Sequence, residues 1–247
     1  MKRLSVISAA VIGASMMAMP ASAAPTINFG TKHSSSTSGA PGNTRTFTGT
    51  DNGQTINVTA SAWSVFMNVV TSAYLGDYAN GLGVTNFLEG RGANNTHTID
   101  NSFGSDFILL TFDQPVSLPY AYLSAYGDTD VTFASLSSGD TKGWNGSSVS
   151  KINSLITSSD NSYGGTGSRW AANESGGTSA NWIVGALTPR NQVTDSFKLG
   201  AVVAQGVPGV PEPATWMMLI LGFGAIGFGM RRQRSRTPRV SRTVRYA

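Results

Sequence analysis

Four aspartates, Asp100, Asp113, Asp128 and Asp130, form the densest group of side chains able to do chemistry in this 247-residue chain. Carboxylates presented by loops at strand ends are the ligands that a hard cation such as calcium takes. Asp128-Thr129-Asp130 sets two carboxylates on the same side of an extended segment, because side chains alternate along a strand. Aspartate is also an ordinary turn residue, and no acidic loop of fixed spacing accompanies the four. Cation binding and turn formation therefore both stand as readings. Glu89 with Asp100 raises a second chemistry, the carboxylate pair of a glycosidase. The separation of such a pair decides the stereochemical course, and nothing in the sequence sets it.

Other chemistry is thin. His33 and His97 are the two histidines and cysteine is absent, so no zinc motif exists. A Ser-His-Asp triad has only those histidines to draw on, and no Gly-x-Ser-x-Gly elbow accompanies either. Ser148 and Lys151 match Ser-x-x-Lys within a Ser-rich stretch, where chance supplies the match. Trp144 and Trp170, with Tyr163, lie in polar Gly/Ser contexts and are candidates for an exposed aromatic platform on which a sugar ring stacks. Packing in the interior is the alternative, and for Trp182, inside Trp182-Ile183-Val184, it is the stronger one.

The elements that must position these groups read as strands. Ile56, Val58, Ala60 and Ala62 alternate with Thr55, Asn57, Thr59 and Ser61, the period of a half-buried strand. Phe107 to Phe112 is a run buried on both faces, which Asp113-Gln114-Pro115 is expected to end. Leu118, Tyr120 and Tyr122 alternate with Pro119, Ala121 and Leu123. Shorter strands are expected at Thr26 to Phe29, Arg45 to Thr48, from Val131, at Trp182 to Val184 and from Phe197 to Val203. Residues 151–156 fit either a helical turn or a strand, and residues 160–177 read as a polar loop carrying Trp170. Gly, Asn and Asp separate the strands, and no long 3.6-residue period appears. The expected fold is all-β, a single jelly-roll-like β-sandwich, because two half-apolar sheets must bury their faces against each other.

The two ends differ from this body. Lys2 and Arg3, an apolar stretch over residues 4–19, and Ala21-Ser22-Ala23 make the three-part pattern of a secretory signal peptide cut by signal peptidase after Ala23. An exported chain without cysteine must rely on core packing. Residues 214–230 are uncharged and would rise roughly 25 Å as a helix, at the short end for a hydrocarbon layer of about 30 Å. Arginines at 231, 232, 234 and 236 follow, and basic flanks stay cytoplasmic. The expected organisation is a signal peptide (1–23), a β-sandwich ectodomain (24–205), a linker (206–213), a transmembrane helix (214–230) and a basic cytoplasmic tail (231–247). The formal charge of +4 misleads, because both ends are basic. Residues 24–210 hold eight Lys and Arg against twelve Asp and Glu, so the body is mildly acidic and not built for nucleic acid.

Pro211-Glu212-Pro213, Trp216, the Gly-rich apolar run and Arg231-Arg232 come in an order that resembles the PEP-CTERM sorting signal in its PEPxxWA form. Met217 stands where that form usually has Ala, and the tail beyond Arg232 is long; neither removes a part of the signal. The resemblance implies recognition by exosortase, an integral-membrane cysteine protease that cleaves near the motif. The product would go to the cell surface or to the exopolysaccharide matrix of a biofilm, after transient anchoring in the inner membrane. A second resemblance covers residues 63–136, through Tyr78-Ala79-Asn80-Gly81-Leu82-Gly83-Val84, His97-Thr98-Ile99-Asp100-Asn101, Phe112-Asp113 and Gly127-Asp128-Thr129-Asp130. It is similar to the β domain of many PEP-CTERM surface proteins and implies a surface protein without site chemistry. The expectation is a non-enzymatic exported surface or matrix protein without a required cofactor. A carbohydrate-binding module for exopolysaccharide is the alternative, and a secreted hydrolase stands behind both.

Overall fold

The computed structural model describes residues 24–30, 39–51, 53–90, 97–188, 194–206 and 213–234. The chain divides into two compact units, Met1–Gly206 and Val207–Ala247. In the first, β1 (Thr26–Asn28), β2 (Thr44–Asp51), β3 (Gln54–Phe66), β4 (Val69–Ser72), β5 (Tyr74–Tyr78), β6 (Gly81–Thr85) and β7 (Ile99–Asp100) precede the long β8 (Ser105–Ala125). Then follow β9 (Val131–Leu136), α1 (Ser150–Asn153), β10 (Ile156–Ser162), β11 (Arg169–Ala172), β12 (Ser179–Gly185) and β13 (Ser196–Gly206). The second unit holds α2 (Pro213–Arg234).

The thirteen strands join into one antiparallel sheet, and β8 is the reason. Its first half pairs with β3 on one side and β12 on the other, Leu110 lying opposite both Ala60 and Trp182. Its second half pairs with β11 and β13, Tyr122 lying opposite both Trp170 and Ala201. The expected stop at Asp113-Gln114-Pro115 does not occur. Pro115 lies past the end of the β3 pairing at Phe112 and inside the register shift of β12, between Thr111 and Val116, where the missing amide hydrogen breaks no ladder bond. The all-β expectation holds, and the strands that a sandwich would divide between two sheets are hydrogen-bonded into one.

The alternation in β3 is as the sequence predicts: Ile56, Val58, Ala60 and Ala62 are wholly buried. They share one apolar cluster with Ile108 and Leu110 from the first half of β8, and with Ala121 and Leu123 from the second. A second cluster, on the other face of β12 and β9, gathers Trp63, Trp144, Phe107 and Ile183. Two local readings differ from expectation. Residues 151–156 resolve into both alternatives, a helical turn over Ser150–Asn153 and then the start of β10. The polar stretch from 160 to 177 contains the end of β10 and all of β11, so Trp170 is a strand residue. The hairpin between β3 and β4 turns through Met67 and Asn68, at φ 47° and 68°. Two consecutive positive φ values are the geometry that matches strand twist in a two-residue turn.

Candidate functional site

The four aspartates do not form one site. Asp113 stands exposed on β8, its Oδ2 accepting from Asn57 Nδ2 at 2.8 Å, apart from the other three. Asp100 joins Glu89 and Asp106, and Asp128 and Asp130 join Asp195. In each trio, one oxygen per residue lies within 4.8 Å of the other two.

In the first trio Asp100 and Asp106 are buried and Glu89 is half-buried. Glu89 Oε2 accepts from the amide of Asn86 at 2.8 Å, and Asp106 accepts from Asn86 Nδ2 at 3.1 Å. Asp100 Oδ1 accepts from the amide of Ser102 and Oδ2 from Thr98. Burial pushes Glu89 up to about 7, with Asp100 beside it adding to the rise. Burial also holds Asp106 well above the usual carboxylate range. Crowded acids in a poorly solvated place share protons rather than ionise together. Lys198 Nζ, close enough to offset Glu89, lies over the rings of Tyr78 and Tyr126 at 4.3 and 4.5 Å and donates to the carbonyl of His97. Burial lowers that lysine to about 8. Glu89 and Asp100 thus meet, the half-buried Glu89 standing beside the buried Asp100.

The second trio sits where β9 and β13 begin. Gly127 opens a turn after β8, and Asp128 bridges in parallel to Asp195. The amide of Asp128 donates to the carbonyl of Thr194, and the amide of Ser196 donates to the carbonyl of Asp128. Asp130 Oδ1 accepts from the amide of Gly164 at 2.6 Å. Asp195 Oδ2 accepts from Asn101 Nδ2 at 2.6 Å and from Thr188. Sequence reasoning paired Glu89 with Asp100 but missed Asp106 and Asp195 as partners in these groups. Asp106 carried a usable sign, an acid at the head of an otherwise apolar strand. Asp195 carried only its place just before β13.

The aromatic candidates separate by burial. Trp144 is fully buried, against the expectation that it could meet a sugar. Its ring packs edge-on to Trp63 at 5.2 Å, because the Gly143 and Gly146 turns fold its polar loop over the second apolar cluster. Trp182 is core, as predicted, and its Nε1 donates to the carbonyl of Val116. Trp170 is 48% exposed and lies across from Tyr122, ring centroids 5.3 Å apart. Tyr163 is exposed as well.

Two bulges aim this exposed pair. Between Ser117 and Tyr120, β8 carries an extra residue against β13. The alternation expected to keep Leu118 with Tyr120 and Tyr122 is thereby broken: Leu118 points inward and the tyrosines outward. Between Leu199 and Ala201, the extra residue is Gly200 on β13. A Cβ on Gly200 would stand 2.8 Å from the ring of Tyr122, so glycine there lets the ring lie close over the backbone. Trp170, Tyr122, Asn80, Ser124 and Gly200 line an open cavity of about 470 Å³. Ser124 Oγ donates to the carbonyl of Asn80, and Asn80 Nδ2 donates to the hydroxyl of Tyr126. The arrangement is a two-ring shelf beside fixed polar groups, suited to a ligand with an apolar face and hydroxyl edges.

The remaining nucleophile candidates are not assembled. Lys151 Nζ donates to the carbonyls of Lys142 and Gly143, while Ser148 Oγ accepts from Asn68 Nδ2. His97 Nδ1 meets Thr85 Oγ1 at 2.8 Å, and its ring stacks on Tyr78. His33 lies outside the described residues, as do Ala21, Ala23, Pro211 and Glu212.

In the second unit, α2 is one continuous helix of 22 residues. Met218, Ile220, Leu221, Phe223 and Phe228 are all exposed, and the space around Gly222, Gly224, Gly227 and Gly229 is open. The expected transmembrane span at 214–230 is not shown: among the described residues no helix is long and apolar enough to cross a membrane.

The chain is thus an all-β unit followed in sequence by a helical unit that carries arginines at its end. Residues 209–234 match the PEP-CTERM protein-sorting motif, and Pro211, Glu212, Pro213, Trp216, Arg231 and Arg232 all fall within the match. The chain thus carries a PEP-CTERM sorting motif, which supports export and processing by an exosortase-type membrane protein. No curated protein and no solved structure showed significant similarity to the chain.

Proposed function

We propose that this protein is a non-enzymatic component of the cell surface or extracellular matrix, cut free of the inner membrane by exosortase. The sorting motif at residues 209–234 carries this reading. The exposed apolar side chains of α2, among them Leu221, Phe223 and Phe228, support membrane-associated sorting. The apolar cluster shared by both halves of β8 supports a jelly-roll-like sandwich, with the two halves of the sheet facing each other. Intact-mass measurement of the protein from membranes and from culture medium tests the reading. The expected result is a full tail on the membrane form and a shortened chain outside. A released chain that retains residues 214–247 would defeat it.

A second reading has its own support. The shelf of Trp170 and Tyr122 favours carbohydrate binding, with the cell's exopolysaccharide as the ligand class. Sugars stack their C–H faces on aromatic rings, and Asn80 and Ser124 offer hydrogen bonds at the edge. Co-sedimentation with purified exopolysaccharide tests this, and retention equal to that of a Trp170→Ala variant would discard it.

A further inference from the structure

We propose that Asp128, Asp130 and Asp195 hold a calcium ion that ties the start of β9 to the start of β13. Their oxygens lie within 4.8 Å of one another. Oxygens sharing one calcium at about 2.3–2.6 Å are separated by at most about 5 Å, so the three are close enough to share one ion. A group of acids alone does not make a site, and the second observation is Asp195 itself. Its side chain is 1% exposed, and its Oδ1 is buried without a hydrogen-bond partner. The other oxygen, Oδ2, is taken by Asn101 and Thr188. A buried carboxylate oxygen left bare costs far more than a paired one, and here the groups nearest in charge are two further carboxylates. A cation among the three removes that conflict.

The surroundings are fixed rather than adaptable. Asp130 is held by the amide of Gly164, Asp128 by the amide of Thr129 at 2.8 Å, and Asp195 by Asn101 from both its amide and its carboxylate. Arg169 on β11 is the one cation that faces Asp128 and Asp130 among the described residues. Its guanidinium is spent on Thr129 and Ser162. Three carboxylates against one guanidinium leave two negative charges, the charge of one divalent ion. Asp128 is only part-buried, which provides a way in.

The test uses the full chain in detergent, stripped with EGTA and titrated calorimetrically with calcium chloride alone. One equivalent should bind, with a Kd in the range of about 10⁻⁴–10⁻³ M typical of extracellular sites. Asp195→Asn and Asp128→Asn should each weaken binding by at least about tenfold, since a charged ligand is lost. Asp113→Asn and Glu89→Gln should bind as the parent does. Should Asp195→Asn fail to fold, Asp128→Asn at the part-exposed rim carries the comparison. No heat or uptake up to about 5 mM calcium, well above that range, overturns the proposal. So does unchanged binding in Asp128→Asn, or loss of binding in Glu89→Gln alone, which would move the ion to the other trio.

Discussion

Trp170 faces Tyr122 across the β11–β8 ladder, with ring centroids 5.3 Å apart and planes inclined at 54°. On the far side of Tyr122 lies the Gly200 bulge, so one tyrosine links an exposed indole to a bare stretch of backbone. At this pair exposed aromatic area, a cavity and fixed polar groups coincide.

Trp170→Ala is expected to reduce polysaccharide binding by roughly two- to tenfold, since an aromatic stack is worth about 0.5–1.5 kcal/mol beyond the area it buries. Its effect on stability should be small. Trp144→Ala should do the reverse. It removes a buried ring packed on Trp63 and should destabilise by about 3–5 kcal/mol. Chemical denaturation and co-sedimentation on the same two variants check both halves.

Gly200→Val places side-chain carbon where a Cβ already stands 2.8 Å from the Tyr122 ring. The ring must move, and the shelf should lose binding while Trp170 stays in place. Unchanged retention on exopolysaccharide would show that the Tyr122 ring is not part of the binding surface.

Met67 and Asn68 adopt left-handed φ values of 47° and 68° in the β3–β4 hairpin, with Met67 exposed. The double replacement Met67→Asn, Asn68→Gly installs the residues that such a turn favours. The melting temperature should rise, by the equivalent of about 1–2 kcal/mol for relieving a left-handed non-glycine residue. A fall would mean that losing the hydrogen bond from Asn68 Nδ2 to Ser148 Oγ outweighs the relief of the turn.

Acid should stabilise the calcium-free protein near neutrality. Asp195 is raised from 3.8 to about 6 and Glu89 from 4.5 to about 7, in both cases chiefly by burial. The folded chain therefore holds protons that the unfolded chain has released. This stabilisation is complete below the unfolded values and is lost as pH rises through about 6 and then 7. Lys198, lowered from 10.5 to about 8, acts oppositely and only at higher pH, where the unfolded lysine still binds its proton. Thermal melts in EGTA should show a minimum near pH 7–8 and a higher melting temperature at pH 5. With saturating calcium the acid-side gain should shrink, because protons and the ion compete for Asp195. A calcium-free melting temperature climbing steadily from pH 5 to 7.5 would contradict the assignment.

Replacing Pro211-Glu212-Pro213 with three alanines separates a sorting signal from a plain anchor. Two prolines restrict the backbone and remove two amide donors, presenting Glu212 in a narrow range of conformations. In a host with exosortase, the replaced chain should remain full-length on membranes while the parent is shortened and released. Equal release of both chains would mean the motif is not read. N-terminal sequencing of the same material should begin at Ala24.

The sorting tail was legible from the sequence because its parts are local: a tripeptide, an apolar run and a basic stop, each recognisable without a partner. The strands of the ectodomain were legible for the same reason, since period-2 alternation in residues such as Ile56, Val58 and Ala60 reports one buried face. The sites depended on pairing, which local pattern does not encode. Trp144 and Trp170 lie in similar Gly/Ser contexts, yet one is core and the other surface. Loop packing decided the first and the ladder to Tyr122 the second. The outward turn of Tyr120 and Tyr122 followed from bulges that exist only relative to β13. Asp128 and Asp195 are far apart in the chain and adjoin because the strands that follow them, β9 and β13, begin at the same place. A carboxylate's neighbours, and with them its charge state and any ion it can hold, are set by which strands the long β8 brings together.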